Sequence, residues 1–121
     1  MYKRQEESNS ERASDNVDSV HLIGSRKGNT RLHQLIQDAN RYIGFRFEYD
    51  EESIFSRSDQ YNFYAKGVPV AFLFGGFHPD YHEPTDTIEK INFHKVVSAA
   101  RLNYVAAFLV ASHGRFQILR Q

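Results

Sequence analysis

The sequence predicts a layered α/β fold, and three observations carry that expectation. Segments of strand character are interleaved with segments whose apolar residues recur at three- and four-residue steps. One apolar run, VPVAFLF at 68–74, is unbroken, as in a central strand covered by helices on both faces. With 121 residues, 40% of them hydrophobic, the chain can build one real core.

The elements follow in order. Residues 1–18, MYKRQEESNSERASDNVD, hold many charges and almost nothing to bury, which predicts a flexible polar lead-in. The folded part is expected over 19–121. SVHLIGS (19–25) reads as a short strand ending in a Gly-Ser turn. Asn29 or Thr30 can cap a helix carrying Leu32, Leu35, Ile36, Ala39 and Ile43, with Gly44 as its stop. FRFEYD (45–50) alternates like a half-buried strand. Ser58 or Asp59 can cap a helix of about two turns that Gly67 ends. After the 68–74 run comes a long polar loop. Asn92 then caps a long helix whose apolar side is expected to be Val96, Val97, Ala100, Tyr104, Val105 and Phe108, closed by Gly114.

Composition removes several function classes. Fifteen basic and fifteen acidic residues cancel, so no electrostatic footprint for nucleic acid is present. The absence of cysteine excludes disulfides, thiol catalysis and thiolate metal sites. No apolar stretch reaches the roughly 20 residues of a membrane helix.

Chemistry concentrates in the loop from Gly75 to Lys90. It leaves the carboxyl end of the most apolar strand, where ligands collect in open α/β sheets, and loops of this length in compact domains tend to be functional. It carries His78, Asp80, Tyr81, His82, Glu83, Asp86 and Glu89. That set is rich in ligands and acids, yet a catalytic zinc needs about three protein ligands, more than one loop supplies. Plain alternatives stand beside each role. His78 suits a loop position, Tyr81 can pack at the loop base, Asp86 can serve a turn, and Asp59 can be a helix cap.

The order S-D-x-Y-x-F (58–63), K-G-V-P-V (66–70) and G-x-H-P-D-Y-H-x-P-T-D-T-x-x-K-I-N (76–92) resembles the C-terminal part of a zinc exopeptidase. The family is metallopeptidase family twenty-eight, of the aminopeptidase S and aminopeptidase Y type, related to glutaminyl cyclases. The resemblance covers Ser19 to Ser112 and is densest from Arg57 to Asn92. It implies a partial three-layer α/β/α sandwich with a mostly parallel or mixed sheet. It also implies that His82 is a zinc ligand and that Tyr81 donates its hydroxyl to a tetrahedral oxyanion. Asp86 and Asp59 would act behind the metal, Asp86 by orienting the loop or the histidine. In such enzymes two zinc ions share a water that a glutamate deprotonates, and the substrate is a peptide.

Two departures limit the carry-over. Relatives often place a histidine where this chain has Gln60. The other zinc ligands of the family, and its glutamate base, have no counterpart here, because His21 falls mid-strand and His33 falls in a helix. The resemblance therefore leads us to expect one segment of a di-zinc aminopeptidase, inactive in isolation and poorly soluble, its partner being a missing N-terminal part of the same domain. An extracytoplasmic location is expected on the same ground. A glutaminyl-cyclase-like single-zinc acyltransferase and a non-catalytic binding scaffold are the alternatives.

Overall fold

The computed structural model describes residues 19–26, 30–49, 52–77 and 79–113. Its strands are β1 (Ser19–Ile23), β2 (Arg46–Glu48) and β3 (Phe72–Phe74), and its helices are α1 (Thr30–Asn40), α2 (Gln60–Ala65) and α3 (Phe93–Ser112). Short 3-10 turns at Glu52–Ile54 and Ile88–Lys90 complete the order. Among the described residues, no helix is long and apolar enough to cross a membrane.

β1 is buried along its whole length because it lies in the middle of a mixed three-stranded sheet. β2 runs parallel to it, with Val20 opposite Phe47. β3 runs antiparallel on the other side, with Leu22 opposite Leu73. The β1–α1–β2 unit is thus a parallel crossover, which needs the intervening helix to return the chain to the same end of the sheet. Alternation along β1 divides the core in two. Val20 faces Ala39, Phe45, Ala99 and Leu102, under α1 and α3. Ile23 faces Ile54, Phe55, Val70 and Phe74 on the opposite side, where Tyr64 of α2 and Tyr81 also pack. The result is three layers, as the α/β expectation requires.

Local chemistry explains where the elements stop. Asn40 closes α1 by bridging to Phe45, its Nδ2 donating to the Phe45 carbonyl at 2.7 Å and its Oδ1 accepting from the Phe45 N–H at 2.9 Å. Gly44, at φ 93°, is the expected stop, donating its N–H to the Asn40 carbonyl. Gly24 ends β1 at φ 82°, and an added Cβ would lie 2.5 Å from the Phe55 ring, so only glycine fits both the turn and the contact. The expected cap at Asn92 is present, its Oδ1 accepting from the Lys95 N–H at 3.0 Å. The cap candidate Asn29 and the stop Gly114 lie outside the described residues.

Two expectations are corrected. The 68–74 run is strand only at Phe72–Phe74, and among the described residues it pairs with β1 alone, so β1 and not β3 is the central strand. The run is apolar throughout because Val70, Phe72 and Phe74 serve one core layer while Leu73 serves the other. Coverage of both faces was legible; position within the sheet was not. The second correction concerns α3. The residues that it buries are Lys95, Ala99 and Leu102, with Val105, Ala106 and Leu109 packed beside them. Val97, Tyr104 and Phe108, expected inside, are exposed at 46%, 74% and 62%. α3 is apolar nearly all round, so spacing alone could not choose its inner face, and the small Ala99 lets that side approach the sheet closely.

Candidate functional site

The loop after β3 is anchored by aromatic rings. Phe74 ends the strand, and the rings of Phe74, Phe77 and Tyr81 meet edge to face, with centroids 5.0–6.1 Å apart. Such pairs add stability beyond their buried area. They hold the half-buried Tyr81 against the Phe55 side of the core. His82 stacks on Tyr81, ring centroids 4.0 Å apart and 15° from parallel.

His82 itself is exposed and has φ 57°, the only non-glycine among the described residues in the left-handed region. An L-residue held there stores strain that its surroundings must impose, and such residues cluster at functional sites. Among the described residues its ring enters no hydrogen bond or ion pair; the stack on Tyr81 is its ring contact. Toward the described residues the imidazole nitrogens are therefore open.

Around His82 the backbone folds into successive turns. The Glu83 N–H donates to the Asp80 carbonyl at 2.9 Å, and the Asp86 N–H to the Glu83 carbonyl at 3.0 Å. Asp80 is buried, and its Oδ1 accepts from Lys90 Nζ at 2.9 Å. Asp86 is half-buried with its Oδ1 shut off from solvent. Glu89 is fully exposed; its own backbone N–H and then the Thr87 hydroxyl hold its carboxyl below the usual range. His78 lies outside the described residues.

The other sequence candidates sit apart from this loop. Asp59 takes the N-cap position of α2, but its exposed side chain makes no capping hydrogen bond. Gln60 donates from Nε2 to the Phe55 carbonyl at 2.7 Å, tying α2 to the preceding turn, a task distinct from the imidazole that relatives often carry there. His21 is buried in β1, its Nε2 3.6 Å from Glu48 Oε2. His33 meets the buried Ser25, Nδ1 to Oγ at 2.8 Å, and its ring leans on Tyr49, over which the Arg26 guanidinium lies. Burial, and then the Arg26 charge, lower the His33 pKa from its ordinary 6.5.

The mixed sheet alters one argument about place. Because β3 is antiparallel, the loop leaving its carboxyl end emerges at the amino ends of β1 and β2. The rule for parallel sheets thus selects the loop through one strand only. The Asp80–Lys90 pair went unread in the sequence, where nothing distinguishes these two charges from solvated loop residues.

An exposed imidazole with open nitrogens fits the part of one zinc ligand, with a bond of about 2.0–2.1 Å. One donor is not a site, and no group of three or more metal-ligating side chains converges among the described residues. Fold and loop thus define a layered α/β domain that presents one open imidazole, stacked on a tyrosine, beyond a strand end.

Comparison with known families makes this particular. The model of Peptidase family M28 matches residues 9–107, and the chain belongs to that family. Its members are metal-dependent peptidases, so hydrolytic chemistry on peptides is the activity of the family. The match begins inside the polar stretch 1–18 and runs through the His82 loop into α3. No curated protein and no solved structure matches the chain.

Proposed function

We propose that this chain supplies the His82 ligand and the Tyr81 oxyanion donor of a di-zinc aminopeptidase, which removes residues from the amino end of peptides. The supporting observation is the open imidazole of His82, held in a left-handed turn against the Tyr81 ring. A structural histidine has no need of both exposure and backbone strain, whereas a ligand needs one nitrogen unclaimed for the metal and its direction fixed. Further donors, beyond the described residues, complete the metal set. Zinc bound there would supply Lewis acidity toward the scissile carbonyl.

The residues of the chain itself have separable roles. His82 gives a neutral imidazole to the metal. Tyr81 is placed by its packing on Phe74 and Phe77 and offers a phenolic donor next to the ligand. Asp86, with its Oδ1 withdrawn from solvent, orients the loop behind His82. Asp59 acts at the start of α2, on the layer that also carries Tyr81.

The test uses the native gene product and matched peptides with free or acetylated amino termini. Release of the first residue from the free peptide alone, abolished by a zinc chelator and restored by zinc, supports the reading. Cleavage of both peptides alike, or indifference to the chelator, rejects it. Tyr81→Phe keeps the ring packing and removes the hydroxyl. It should lower kcat by roughly a hundred- to a thousandfold with little change in KM.

A further inference from the structure

We infer that the Lys90–Asp80 ion pair is the clasp that holds His82 in its left-handed conformation and aims its imidazole. The inference rests on the reading of His82 as a ligand and adds a positioning pair to it. Asp80 and Lys90 stand ten residues apart and close the whole loop between them, Nζ to Oδ1 at 2.9 Å. The two ends of the contact differ: the Asp80 side chain is 12% exposed, that of Lys90 42%. A carboxylate so nearly buried is costly unless a charge meets it, so Asp80 draws the Lys90 arm back across the loop.

The connection to His82 is direct. Asp80 is the first residue of the turn whose third residue is His82, closed by the Glu83 N–H on the Asp80 carbonyl. Tyr81, between them, is fixed by the rings of Phe74 and Phe77. On the far side, Lys90 ends a 3-10 turn, its N–H on the Thr87 carbonyl at 3.1 Å. With the first residue of the turn pinned by its carboxylate and the second by its ring, His82 cannot relax to a right-handed conformation without breaking one of the two. Strain of this kind persists only where the surroundings over-determine it. Lys90 therefore acts on the ligand from a distance, through Asp80, and touches no substrate.

The test compares the native gene product with its Lys90→Met, Lys90→Arg and Asp80→Asn variants. Two readouts by mass spectrometry are used: amide exchange of the 80–86 segment, and protection of His82 by zinc against diethyl pyrocarbonate. Lys90 is half exposed, so Lys90→Met is expected to fold; near-native exchange outside the loop checks this, and Asp80→Asn repeats the test from the other partner. Exchange at Glu83 and Asp86 should rise roughly tenfold or more in Lys90→Met, the loss expected for a charged hydrogen bond. Zinc protection of His82 should weaken with it, and Lys90→Arg should retain both. Unchanged loop exchange in Lys90→Met and Asp80→Asn overturns the clasp. Faster exchange with unchanged zinc protection overturns its aiming role. Failure of zinc to protect His82 even in the parent native gene product refutes the ligand reading instead, while the exchange data still decide the clasp.

Discussion

His33 and His82 occupy opposite kinds of surroundings, and the contrast separates a histidine committed to the fold from the one proposed as a ligand. His33 sits in α1 with Nδ1 committed to the Ser25 hydroxyl and its ring against Tyr49, near the Arg26 charge. His82 stands on a loop, its nitrogens open among the described residues, its ring stacked on Tyr81, and its backbone at φ 57°. The fold is stabilised by the contacts of His33 and bears the strain of His82. Residue type is the same in both; what separates them is which side of the free-energy balance each one occupies.

This contrast predicts stability changes of opposite sign. His33→Ala would leave the Ser25 hydroxyl, 1% exposed, without its imidazole partner, and should cost about 1–3 kcal/mol in chemical denaturation. His82→Gly relieves a left-handed L-residue but loosens the unfolded chain, so stability should rise by up to about 1 kcal/mol. A loss of stability in His82→Gly would mean that His82 serves the fold, and the contrast would collapse.

A smaller effect separates the two by pH. His33 has a lowered pKa in the folded state, so the unfolded chain binds its proton first on acidification. Its contribution is complete above the ordinary histidine value of 6.5 and is lost as pH falls below it. Denaturation midpoints measured from pH 7.5 to 5 should therefore decline, and His33→Gln should flatten the slope. A slope unchanged by His33→Gln would show that another group carries it.

Much of the fold could be read from periodicity and stop signals. The β1–α1–β2 unit, the cap at Asn92 and the stop at Gly44 are local chemistry, and local chemistry survives in sequence. What escaped reading depends on tertiary partners. α3 offered apolar residues on every side, so the choice of Ala99 and Leu102 as its inner face waited on the shape of the sheet. The central position of β1 was hidden because a short VHL segment looks no more buried than VPVAFLF. At the candidate site, His82 and Tyr81 stand out as candidates through their neighbours in the motif. The left-handed backbone of His82 was not, since nothing marks a histidine for φ above zero. The Asp80–Lys90 clasp was missed because charge pairs across a loop look like ordinary solvated residues until burial of one partner is known.

The central claim is that His82 holds metal for a member of Peptidase family M28. The measurement that bears on it most directly is the zinc content of the native gene product after exhaustive dialysis, with and without His82→Ala. The account predicts that bound zinc and peptidase activity fall together in His82→Ala while the fold stays intact by circular dichroism. Zinc content unchanged by His82→Ala would contradict it and return His82 to the status of a strained loop residue.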